Sequence, residues 1–247
     1  MMRILLRAGW LTTAMLLLPA VATAQSINVD LGAGEGSMTG QILRLVLLVT
    51  VLSLAPSLVV MVTAFTRIVI VLSFLRTAIG LQQSPPNPVL IGLALFLTGF
   101  IMAPALEKAW IEGVQPMIAE EVAPEEGLQR SIEPFRGFML AQVRDEDLAL
   151  FHEIAGIAPP DERSLVGLRF LLPAFMISEL RRAFEIGFIV FVPFLVIDMV
   201  VASVLMSMGM MMLPPVMISL PFKIVLFVLV DGWSLLAGSL VQSFGPI

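Results

Sequence analysis

Residues Ile42 to Leu81 read ILRLVLLVTVLSLAPSLVVMVTAFTRIVIVLSFLRTAIGL; beyond the first turn only Pro56, Arg67 and Arg76 interrupt an apolar run. As one straight helix the run would be about 60 Å long at ~1.5 Å per residue. A bilayer's hydrocarbon core is only about 30 Å thick. The run must therefore break or project well beyond the bilayer. Pro56, which lacks a backbone N–H, is the expected kink. Gln82 to Pro88 (QQSPPNP) is a turn cluster that ends the run.

Three further apolar runs, 89–106, 186–208 and 216–241, each approach the ~20 residues that a membrane helix needs. The whole chain is 58% hydrophobic and 13% charged, with a mean hydropathy of +1.00. That composition excludes an ordinary soluble domain. The sequence predicts an all-α integral membrane protein in which two apolar helical hairpins, 42–106 and 173–247, flank a polar insert, 107–172. On the second run Gly92, Gly99 and Ala103 share one helical face, where small residues admit a close neighbour.

Residues 1–24 are set apart. Arg3 and Arg7, the mostly apolar Trp10–Ala20 stretch and Ala22-Thr23-Ala24 match a secretory signal peptide. Its removal would start the chain near Gln25, outside the cytoplasm. Residues 25–41 form a polar, Gly-rich lead-in. The insert between Glu107 and Arg169 holds thirteen of the nineteen acidic residues and six of the fourteen basic ones. Helices are expected over Glu107–Glu121 and Ile132–Asp147, separated by the Ala123–Gly127 turn. Four spans after a signal peptide place both mature ends and the insert outside. The 66–88 connection, with Arg67 and Arg76 and no acid, suits the cytoplasmic side. Arg181 and Arg182 fit that picture poorly, because they would sit at the outer mouth of the third span.

The chain has no cysteine or tyrosine and a single histidine, His152, which reads as a solvated surface residue. No thiolate metal site or disulfide is available, and no cofactor is expected. The charges near the membrane are few. Glu179 with Arg182, and Arg181 with Glu185, have the spacing of local helical pairs, or could meet charges on another subunit. Asp198 lies mid-span, where an ionisable group is costly and calls for a partner. Folding the chain back at Met210–Pro215 brings Lys223 to about its level, so Lys223 is expected to neutralise Asp198, or Glu179 of a neighbouring copy. Asp231 is a third polar anchor. The bend itself, Ser207–Pro215, reads SMGMMMLPP, and seven of sixteen methionines fall between Met199 and Met217. Thioether side chains are the most adaptable apolar fillers.

Two stretches then become specific. Pro173–Phe188, PAFMISELRRAFEIGF, and Pro221–Trp233, PFKIVLFVLVDGW, resemble the signature stretches of the FliP family, inner-membrane components of the type III secretion export gate. The likeness extends over nearly all of the chain after the signal peptide, and a cleavable signal peptide favours the flagellar branch. The resemblance implies a ring or helical oligomer of about five copies, joined by FliQ and FliR and met by FlhB and FlhA. It further implies a channel for unfolded flagellar export substrates, in the basal body at the bacterial inner membrane, with a large periplasmic portion that includes the insert. Membrane lipid is an expected partner and nucleic acid is not. Carried over by position, the family's methionine gasket falls on Met208, Met210, Met211 and Met212. An adaptable apolar ring suits a pore that must seal around nothing and around any sequence, and apolar constrictions block ions by dewetting.

Three other readings compete. Exposed methionines could bind Cu(I), a soft ion, as in a periplasmic copper transporter, although neither cysteine nor a second histidine completes a site. Asp198 and Asp231 could be an intramembrane aspartyl pair, although no nucleophile or base accompanies them, and no enzyme activity is expected. A non-conducting membrane scaffold of the secretion apparatus is the third.

Overall fold

The computed structural model describes residues 38–245 except Gln82, Asp161 and Met211. The expected signal peptide, 1–24, and most of the lead-in lie outside the described residues. The chain divides into two compact units, the first ending at Val51 and the second running from Leu52. The described part of the first unit is helical, the N-terminal portion of α1 (Met38–Met61), and exposes Leu43, Val46, Leu47 and Val49.

The second unit is helical throughout its regular structure, with no strand among the described residues. The helix continues through Pro56, which lies inside α1. The break comes at residues 62–64, where side-chain hydroxyls compete for the backbone. Thr63 Oγ1 donates to the Val60 carbonyl at 3.3 Å, Thr66 Oγ1 does so at 3.5 Å, and Thr63 Oγ1 accepts from the Phe65 N–H at 3.4 Å. α2 (Phe65–Ile79) follows and ends on Gly80, whose φ of 90° lets the 80–81 amides return to the Arg76 and Thr77 carbonyls.

α2 is the central post. Ile68, Val71, Leu72, Leu75, Ala78 and Ile79 recur at helical spacing and are all buried. They pack with Leu90, Ala94 and Ile101 of α3 (Asn87–Lys108), with Ala183 and Phe194 of α7 (Leu168–Ser207), and with Phe227, Leu236 and Leu240 near the C-terminal end. Gly187 allows α2 and α7 to approach: a Cβ there would lie 2.6 Å from the Phe74 ring. By contrast, the Gly92 and Gly99 positions have no atom within 4 Å of an added Cβ, so that face of α3 is open in the single chain.

The insert differs from the sequence expectation in its boundaries. No new helix starts at Glu107. The helical path of α3 continues through a π-turn (Ala109–Val114) and α4 (Gln115–Ile118), 32 residues from Asn87. The wider turn falls where Gly113 meets α5 (Pro124–Gln142): a Cβ on it would lie 2.6 Å from the Ser131 nitrogen and 2.8 Å from the Gly127 oxygen. α5 begins eight residues before Ile132, because Pro124 is preset for a first helical turn and Glu125 and Glu126 complement its N-terminal dipole. α6 (Asp145–Ala155) starts with Asp145, Glu146 and Asp147 and stops at Gly156, φ 64°. A second core joins Met139, Val143 and Leu148 to Val166, Leu171, Ala174 and Phe175, which seats the insert on the first turns of α7.

α7 is one helix of 40 residues, about 60 Å. α8 (Pro215–Leu229) and α9 (Gly232–Gln242) replace the single last span expected over 215–241; they meet at a 64° bend. Asn87–Ile118 and Leu168–Ser207 are long and apolar enough to cross a membrane. A count of four requires the bent pairs α1–α2 and α8–α9 to serve as spans too.

Candidate functional site: two buried charge nodes and a methionine tip

The first node is built on Arg67, on the first turn of α2. Both Arg67 and Glu179 are fully buried. The guanidinium grips Glu179 with two bonds, Nε to Oε2 at 2.8 Å and Nη2 to Oε1. Nη2 also donates to Gln142 Oε1, and Nη1 to the carbonyl and hydroxyl oxygens of Ser243, each at 3.1 Å. Its plane sits 3.7 Å from the centre of the Phe244 ring. All five guanidinium N–H directions are thereby used, the condition under which a buried Arg is tolerated. Gln142 completes the circuit: its Nε2 donates to the Phe244 carbonyl at 2.9 Å, and its Oε1 also accepts from Arg182 at 3.1 Å.

This geometry corrects two expectations. Glu179 does not pair with Arg182 along the helix; it faces inward to Arg67, while Arg182 turns to Gln142. Arg67 does not lie in a connection between helices; it is buried on the first turn of α2. An isolated charge in an apolar helix buries only against a partner, and Glu179, 112 positions away, supplies it. One residue before Glu179, Ser178 docks the insert. Its hydroxyl donates to Asp147 at 2.5 Å and accepts the Arg144 N–H at 3.1 Å. On the outer face, Arg181 pairs with Glu185 at 3.0 Å, as the spacing predicted, and lies 3.8 Å from Glu146. His152 is not solvated either. It is 3% exposed, stacked at 4.4 Å on Phe170, with Nδ1 2.8 Å from the Leu148 carbonyl.

The second node lies at the other end of α2. Lys223 Nζ donates to Asp198 at 2.6 Å and to the Ala78 carbonyl at 3.0 Å. Ser219 donates to the other Asp198 oxygen at 2.5 Å. The Ala78 carbonyl belongs to the last turn of α2, where oxygens lack helical donors and the dipole favours a cation. One lysine therefore satisfies a mid-span acid and a helix end together. Asp231 joins neither node. It sits exposed in the α8–α9 bend at φ 49°, and nothing brings it to Asp198 as an aspartyl pair would require.

The third element is the tip between α7 and α8. Gly209, at φ 75°, turns the chain; its N–H reaches the Met206 carbonyl and that of Met210 reaches Leu205, each at 3.0 Å. Pro214 and Pro215 then open α8. Met206, Met208, Met210, Met212 and Met217 are all exposed, Met212 at 98%. Met211 lies outside the described residues. The tip between Ser207 and Pro215 carries no charge. Among the described residues, no group of three His, Asp or Glu side chains could hold a metal ion.

Residues 48–240 match the model of the FliP family. The chain belongs to that family. It is 59% identical over 229 residues to the flagellar biosynthetic protein FliP of Caulobacter vibrioides, covering 92% of this chain and 86% of that protein. It is 57% identical over 201 residues to the protein of that name from Bacillus subtilis (81% and 91% covered), and 49% identical over 246 residues to that of Rhizobium meliloti (97% and 100%).

The span matching the FliP family takes in Arg67, Gln142, Glu179, both members of the second pair and the whole tip. It stops before Ser243 and Phe244, which complete the donor set of Arg67. Reading by residue type missed Gln142, Ser219, Ser243 and Phe244, because polar residues and a single aromatic are ordinary in any sequence; Ser178 stood out only as part of the Pro173–Phe188 signature stretch. The pairing of Arg67 with Glu179 carried no local signal, since the two lie 112 positions apart.

Proposed function

We propose that this FliP-family protein is a channel-forming subunit of the flagellar protein export gate. Several copies assemble with FliQ and FliR, and with FlhB and FlhA alongside, so that the methionine tips converge and narrow a path for unfolded flagellar subunits. The observation that carries this reading is the tip: a charge-free turn, held between two prolines and a left-handed glycine, that exposes flexible thioethers which no other described residue covers. Such a turn is costly in water and becomes reasonable when it faces copies of itself. Apolar side chains at a constriction exclude ions by dewetting, and methionine repacks around whatever passes.

The two buried nodes support the same reading from the other side. They fix both arms of the tip to α2, so the softness is confined to side chains rather than shared by the backbone. The large exposed apolar faces of α7 and α8, among them Phe188, Ile189, Val225 and Val228, suit lipid or neighbouring subunits. The test is ion conductance of the assembled complex in planar bilayers. Deletion of Met210–Met212 is expected to turn a tight assembly leaky. An assembly that stays tight after the deletion would instead make this chain a non-conducting scaffold.

A further inference from the structure

The two nodes differ in what they hold. α2 and α7 contribute to both: Arg67 and the Ala78 carbonyl on α2, Glu179 and Asp198 on α7. Nineteen residues of helix, about 28 Å, separate Glu179 from Asp198. The arm that returns from the tip is jointed instead. α8 reaches the second node through Lys223 and Ser219. α9 leads to Ser243 and Phe244 at the first. Between them the chain bends by 64° at Asp231, an L-residue held at φ 49° with no side-chain capping bond. The insert meets the first node alone, through Gln142 and through Phe138, stacked 6.0 Å from Phe244.

We propose that this is a two-pin device: the Ser243–Phe244 segment is a latch that holds α9 and the insert on Arg67, and the Asp231 joint isolates that latch from the tip. Releasing Phe244 removes the ring beneath the guanidinium and the stack on Phe138. It leaves Arg67 and Glu179 bonded to each other, so the α2–α7 frame stays intact. The second pin still holds α8 at Lys223, and Phe227 of α8, edge-on to Trp233 at 5.3 Å, keeps the first turn of α9 in place while the later turns move. The two pins share helices but no side chain, and even on α2 they lie about 16 Å apart, beyond the range at which substitutions usually couple; hinge motion concentrates at a few residues between packed elements. The insert can thus engage or release partners while the constriction stays shut. Nothing in these pins depends on what passes the tip.

The absence of cysteine makes the test clean, since single spin labels can be placed without background. Labels go at Gly137 on α5 and at Met212 on the tip, both exposed, and at Ser239 on α9, each in the full chain reconstituted in lipid nanodiscs. Phe244→Ala is expected to mobilise the labels at 137 and 239 and leave the 212 spectrum as in the parent. Lys223→Met, or the milder Ser219→Ala, is expected to mobilise 212 alone. Mobilisation of all three labels by either change would show one rigid arm and overturn the proposal. So would unchanged spectra at 137 and 239 in the Phe244 variant.

Discussion

Arg67 and Glu179 set the stakes at the scale of single residues. A buried ion pair contributes little net stability relative to a well-packed apolar pair, but losing one member strands the other. Glu179→Gln leaves a fully desolvated guanidinium with a weaker acceptor and is expected to cost about 3–5 kcal/mol. Thermal melting in detergent, followed by tryptophan fluorescence, should show that loss. Replacement of both residues by methionine should recover most of it. The second node behaves differently, because Lys223 serves two acceptors. Exchanging the charges, Asp198→Lys with Lys223→Asp, restores the attraction but not the bond to the Ala78 carbonyl. The double variant is therefore expected to melt between the parent and either single reversal. A double variant no better than the singles would show that the pair is not the stabilising contact.

At the scale of helices, contact distances decide what is tolerated. Gly187 lies where α7 crosses α2, and a methyl group there would press on the Phe74 ring at 2.6 Å. Gly187→Ala is expected to destabilise by about 1–3 kcal/mol, as overpacking does. Phe74→Leu should relieve part of that cost when combined with it, as read by the same melting curves. Ser178 is the peg between α7 and the insert. Ser178→Ala strands Asp147 and the Arg144 amide, a loss of about 1–3 kcal/mol, and faster amide exchange confined to α6 is the expected signature. These elements also show what the sequence could and could not yield. The apolar runs, the tip and its two prolines were legible, since each rests on local chemistry. The break in the first run falls after Val60, where Thr63 and Thr66 draw off the Val60 carbonyl, a choice that Pro56 did not foretell. Glu107 did not start a helix, because charge alone does not end one. The Arg67–Glu179 pairing was hidden by a separation of 112 positions, and no periodicity reports contacts at that range.

At the scale of the molecule, rigidity and softness are segregated. α2 and α7 form a frame pinned by buried charges, and the only described segment combining exposure, absence of charge and clustered sulfur is the tip at 206–213. On the proposed reading a scaffold would use only the frame, whereas a channel would use both. Conductance after deletion of the tip separates these two, but contact with cargo is more direct. An export substrate fused to a folded plug would be arrested in the assembled gate, with a photocrosslinking side chain placed singly at Met208, Met210 or Met212 and, as a control, at Leu150 on the exposed face of α6. Substrate adducts are expected at the tip positions and not at Leu150; a substrate that stalls in the gate without touching any tip position would contradict the assignment of the methionine turn as the constriction.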